Sequence, residues 1–261
     1  MKNIKNVDFY EKVIYRYEEH LKLTEEKITN FPPEEEWETR PHKMSSEYRL
    51  QQIKLVTFTA RLQIIIASYS KGDDKNSLRN QFSEAVKVMQ EVWDKRVVKM
   101  HMGKAQKEID VYYIGPTFYM RWMLSLGVLL EVPDDEFQIL IDLVKRDHIK
   151  DALYDICIKT KIEDWQISDM VRPLSPKNKI IDIINEDDKI ICEKLTKNYL
   201  GKHWFKTFKN WGGWQTTDVS GLDVNSDFVG FWAFEVAAVV KIKGLDDSSF
   251  KDNRFYPDRL V

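Results

Sequence analysis

Residues 230–247 read GFWAFEVAAVVKIKGLDD, and the fold class follows from how such a stretch can be housed. Ser226 stands as an N-cap, Asp227 falls in a first turn and Gly244 marks a stop, so the punctuation predicts a helix from about 226 to 244. Phe228, Val229, Phe231, Trp232, Phe234, Val236, Ala237, Val239, Val240 and Ile242 leave it no broad polar face before Lys241. A helix apolar on every side is one surrounded by other helices. In its middle sits one carboxyl, Glu235, which in a low dielectric must be protonated, paired or hydrogen-bonded. The expected partner is an arginine from an apolar run elsewhere, Arg61 or Arg121, in which case Glu235→Gln lowers the melting temperature. The alternative is a general acid of raised pKa in a helical enzyme.

The rest of the 261 residues are written in the same style. Ten glycines and eight prolines fall between long runs of 3.6-residue periodicity, which is the pattern of a helical protein. Helices are predicted over 7–29, 46–70, 76–101, 117–130, 135–146, 148–160, 178–200 and 202–210, and no strand is evident. Pro133-Asp134-Asp135-Glu136 looks like a helix start, its acids matched to the macrodipole. The expected architecture is all-α, with two packed halves, 1–130 and 131–261, and no flexible linker between them. The least regular stretch, WGGWQTTDVSGLDVNS at 211–226, is long for a loop inside a domain, and loops of that length are often functional.

Composition excludes more than it proposes. Forty basic against forty-two acidic residues give a net charge of −2, which is no footprint for direct nucleic-acid binding. The acids are uneven: from Glu131 to Asp164 there are ten, among them Asp134, Asp135, Glu136, Glu163 and Asp164, against five bases. Solvated helix faces explain most such runs. Cys157 and Cys192 each lie in an apolar helical pattern and suit buried thiols in a reducing compartment. The N-terminal residues hold no apolar run of signal-peptide length, so the expected location is the cytoplasm. The window 112–132 is apolar enough to suggest a membrane, but Gly115-Pro116 breaks its start and Arg121 sits mid-span, so a buried helix with a polar handle is expected. The five histidines lack i, i+3 or i+4 pairing, no CxxC or HExxH occurs, and phosphate-loop and GxSxG signatures are absent, so no metal or cofactor is expected. Glu25-Glu26-Lys27 matches nuclease-like spacing only as chance gives it in a highly charged chain.

Residues 228–260, FVGFWAFEVAAVVKIKGLDDSSFKDNRFYPDRL, resemble the C-terminal signature of the PoNi-type immunity proteins. The resemblance rests on Gly230, Phe231, Trp232, Phe234, Glu235, Lys241, Gly244, Asp246, Asp247, Ser248, Ser249, Tyr256 and Pro257. Phe231 and Phe255 stand where tyrosine is usual. IASYSKGDDKNSLRNQF (66–82) and MLSLGVLLEVPDDEF (123–137) are similar to parts of the same family's N-terminal domain and of the helix pair joining its halves. The resemblance implies a two-part helical antitoxin, not an enzyme, that binds and inhibits a cognate secreted DNase toxin in bacterial competition. A homo-oligomer is compatible with it, as is the rival reading of a helical scaffold or dimerisation protein. Such an inhibitor can cover a basic catalytic cleft with carboxylates. The candidate contacts are therefore Asp134, Asp135, Glu136, Glu163 and Asp164, with Asp218, Asp223 and Asp227 of the irregular loop and its tryptophans Trp211 and Trp214. Glu235 is expected to serve the fold, as are Asp246 and Asp247, whose side chains are expected to bond nearby turn amides.

Overall fold

A computed structural model describes residues 5–38, 44–103, 107–172, 179–212 and 226–261, with side chains omitted at 38 and 209–212. Polar side chains set most helix starts, each satisfying amides that the first turn leaves bare, which is worth about 1 kcal/mol per cap. Asn6 Oδ1 accepts from the Phe9 amide at 3.0 Å to begin α1 (Val7–Thr29). After the short α2 (Glu34–Glu38), Ser45 Oγ accepts from the Tyr48 amide at 3.2 Å to begin α3 (Ser46–Lys71). Asp74 likewise caps α4 (Lys75–Val92). Helices α1, α3 and α4 form a layered bundle, α3 lying between the other two.

The predicted helix over 76–101 stops at Val92, because Trp93 turns its ring into the core. The Trp93 indole donates to the Tyr112 hydroxyl at 3.1 Å, and the two rings meet edge to face at 5.3 Å. That contact is made by a hairpin that the helical reading missed: after α5 (Lys95–Val98), strands β1 (Lys99–Met102) and β2 (Lys107–Tyr112) pair antiparallel, Lys99 opposite Tyr112. Lys99 is buried, and its ammonium reaches Glu108 at 2.8 Å and Asp110 at 2.9 Å. Two short strands in an otherwise helical chain make the fold mostly α rather than purely so.

The centre is α6 (Ile114–Leu130), buried over most of its length. Gly115-Pro116 lies inside its first turn, where a proline costs no helical hydrogen bond. Helix α7 (Asp134–Asp147) approaches closely because Gly127 has no Cβ, which would stand 2.7 Å from the Phe137 ring. Helix α8 (Ala152–Lys159) packs on α6, followed by α9 (Ile180–Asn185), α10 (Lys189–Lys202) and α11 (Trp204–Gly212). Helix α12 (Phe234–Lys243) then packs against α6 and α8 with Phe234, Val236, Val239 and Val240 buried, at about 1.5–3 kcal/mol for each large apolar side chain. Among the described residues no helix is long and apolar enough to cross a membrane. Both thiols are free and buried.

The opening stretch is surrounded as expected, but its helix starts at Phe234, not at 226. Residues 228–233 are buried without being helical, because their polar groups are satisfied from elsewhere. The Trp232 indole donates to Ser70 Oγ at 2.7 Å, Ser70 donates to the Val229 carbonyl at 2.5 Å, and the Ala233 amide donates to Phe255 O at 2.8 Å. Gly230 holds φ at +126°, a left-handed value that interrupts any helix drawn through it. Ser226 therefore caps nothing, while Gly244, at φ +59°, ends the helix where the sequence places its stop. In the turn after it Asp246 follows the sequence, accepting from the Ser248 amide at 2.9 Å and hydroxyl at 2.8 Å.

Candidate functional site

The candidate acids divide between two places. Asp134, Asp135 and Glu136 occupy the first turn of α7, and Glu163 and Asp164 lie exposed in the segment after α8. An ion pair of 2.6 Å between Asp134 and Lys161 brings the two groups to one face. Asp227 lies far from them, exposed beside α1, where Arg16 donates to its carboxylate at 3.3 Å and the Tyr17 hydroxyl to its carbonyl at 3.4 Å. Trp211 is in the last turn of α11 and its side chain is not described; Trp214, Asp218 and Asp223 lie outside the described residues.

Four of the ten acids at 131–164 are already engaged within the fold. Asp147 is fully buried, accepting from Tyr112 at 2.6 Å and from Arg146 at 2.8 and 3.0 Å. Asp151 caps α8 through the Leu153 amide at 2.9 Å and accepts from the Arg172 amide at 2.8 Å and Arg121 at 3.3 Å. Asp155 is buried under the Trp165 indole at 2.8 Å and the Ser168 amide at 2.8 Å. Glu131 is exposed but bridged to Lys241 at 2.6 Å and Lys75 at 3.2 Å, which hold its carboxyl down to about 2. Asp147 ends α7 and Asp151 caps α8, so the turn between the two helices, which no sequence period marks, is what places them inside.

Glu235 is 7% exposed; Arg121, one of the two predicted arginines, acts on it through charge, but the hydrogen bond comes from elsewhere. The Trp204 indole donates to Oε1 at 2.7 Å, whereas Arg61 runs to Glu25 at 3.3 Å and Arg121 is engaged by Asp151. An aromatic N–H carries no charge to mark it in a sequence, which is why the arginines were the visible choice. Among the described residues Oε2 has no hydrogen-bond partner. With Arg121 matched by Asp151, Glu235 is the surplus carboxyl of the buried group. Burial pushes its pKa up, and the nearby Arg121 charge and the Trp204 bond offset only part of the rise.

That sign gives a prediction. A carboxyl whose folded pKa is raised contributes stability below its unfolded value and loses it as pH rises through the folded value. As pH rises above the ordinary carboxylate range, the wild-type melting temperature should therefore fall relative to that of Glu235→Gln, which keeps an oxygen for Trp204. Parallel melting curves above that range would show that the carboxyl titrates as an exposed one.

Glu235 lies in packed surroundings, with the Trp204 indole against it. An open depression of about 780 Å³ lies beside Trp165 and His148. Among the described residues no three His, Cys, Asp or Glu side chains are grouped to hold a metal ion.

The architecture that carries this buried group is shared. The chain matches two family models in succession, described as PoNe immunity protein (PoNi), N-terminal, over residues 2–142, and PoNe immunity proteins (PoNi), C-terminal, over residues 149–260. It belongs to the PoNe immunity protein family. The crystal structure of protein PA2201 from Pseudomonas aeruginosa is similar in fold, with a TM-score of 0.61 over 94% of this chain and 86% of that one, at 13% identity. Among curated proteins none matches the sequence.

Proposed function

We propose that this protein binds a cognate secreted DNase toxin in the cytoplasm of the producing cell and inhibits it by occluding its active site, without catalysis of its own. The observation that carries the reading is the pair of immunity-family matches, which together span nearly the whole chain. The physical logic is that of competition with DNA. A DNase must present a cationic cleft to phosphates, and an acidic protein surface of matching shape can occupy that cleft in their place. An interface on the order of 1,600 Å² is enough for tight inhibition of this kind.

Co-expression in a bacterial host tests it. Cells making the cognate toxin domain alone should lose viability and degrade their chromosomal DNA, and cells also making this protein should keep both. Equal killing with and without it, at matched toxin levels, would remove the proposal.

A further inference from the structure

The most acidic stretch of the chain is not the one at 131–164. Between Glu18 and Glu38 there are eight glutamates against two bases, Lys22 and Lys27. These belong to the second half of α1 and to α2, and here the acids face outward: Glu18, Glu25, Glu26, Glu34, Glu35 and Glu36 are all exposed. Glu25 is engaged by Arg61 at 3.3 Å and Glu19 by Lys22 at 2.6 Å. One of the exposed acids, Glu26, lines a groove of about 490 Å³ between α1, α2 and α3, floored by Leu23, Phe31, Pro32, Trp37 and Ile53, with Lys27 and Arg49 at its edge, and Glu34, Glu35 and Glu36 immediately precede Trp37 in α2. Its aromatic wall is already set. Phe31 and Trp37 stack at 5.3 Å, and the Trp37 indole is held by the Met44 carbonyl at 2.9 Å, while Leu23 is 53% exposed.

Resting on the proposed function, we infer that this groove and its glutamates are the surface that receives the toxin, meeting the cationic face with which the toxin holds DNA. A rigid aromatic and aliphatic centre with a charged rim is the arrangement that concentrates binding energy in protein interfaces. The charge selects the partner. Nucleic acid and anionic lipid would be repelled, and two copies of this chain joined about a two-fold axis would set glutamates against glutamates. On the α7 face Lys161 already pairs with Asp134, and Lys145 and Arg146 stand in the last turn of the helix.

Binding to a catalytically inactive form of the cognate toxin domain separates the possibilities. Glu26→Lys/Glu34→Lys/Glu35→Lys should weaken Kd by about 100-fold, mainly through slower association, and flatten its salt dependence. Leu23→Ala, at an exposed position where folding is insensitive, should weaken it by about tenfold. Asp135→Lys/Asp142→Lys on α7 should leave Kd within about threefold. All three variants should melt within about 2 °C of wild type. If the α7 pair loses binding and the groove variants keep it, the surface is misassigned while inhibition stands. If the toxin-free protein is a dimer by light scattering and the triple reversal makes it monomeric, the groove belongs to a second copy and the inference falls. Failure of the wild-type protein to bind the toxin at all would remove the proposed function itself.

Discussion

Replacing Asp151 by alanine is expected to destabilise the protein by about 3–5 kcal/mol, the cost of leaving a buried guanidinium without its counter-charge. Arg121 is 5% exposed, and its guanidinium has two hydrogen-bond acceptors, Asp151 and the carbonyl of Arg172. Asp151 itself accepts three donors from three parts of the chain: Arg121 in α6, the Leu153 amide that opens α8, and the Arg172 amide. Alanine removes the charge, the cap and the tie to Arg172 together. Against a total stability of about 5–15 kcal/mol, that loss is large enough to populate the unfolded state in mild urea. Asp151→Asn keeps an oxygen for the cap but not the charge, and its cost should fall between alanine and wild type. Urea unfolding at neutral pH measures all three. A cost below about 1 kcal/mol for alanine would mean that Arg121 draws its counter-charge from elsewhere, with Glu235 the group in position to supply it.

Gly230→Ala should be nearly as damaging, at about 3 kcal/mol, for a reason confined to one Cβ. At φ +126° an L-residue is strained, and the new methyl would fall on Ser70 Oγ and the Trp232 indole nitrogen. Those two atoms form the hydrogen bond that pins the entry to α12 onto α3. Trp232 also packs edge to face on Tyr69 at 4.8 Å, so moving the indole disturbs the core as well. Gly244→Ala is the control. Its φ of +59° is one that other residues adopt at modest cost, and its new Cβ would meet only the end of the flexible Lys189 side chain, at 3.4 Å. About 1 kcal/mol is expected there. Equal losses at the two glycines, in the same urea titration, would show that backbone strain alone acts and that the Ser70–Trp232 contact is dispensable.

These two positions also mark how far the sequence reaches. The helical content was legible because α1, α4 and α7 keep their apolar residues on one face, and the serine that opens α3 is a residue type that caps by a known mechanism. The start of α12 was not legible. Aromatic residues at 228–232 are buried whether the backbone is helical or extended, and what decides is Ser70, more than 150 residues away. The hairpin at 99–112 escaped for a related reason: its strands are short, and their pairing is fixed by Trp93 and Tyr112 meeting in space. Among the candidate contacts, charge alone could not separate Asp151, held inside by Arg121, from Asp135, which is exposed. The same blindness hid the groove between α1 and α2, where the signal was an acidic stretch beside Phe31 and Trp37 on either side of a proline pair.

The most direct measurement is a titration of the cognate toxin domain's DNA cleavage with the purified protein. Activity should fall linearly and vanish near one equivalent, as a stoichiometric occluding complex requires. Undiminished cleavage at about tenfold excess, under salt conditions where electrostatic association is strong, would contradict the account.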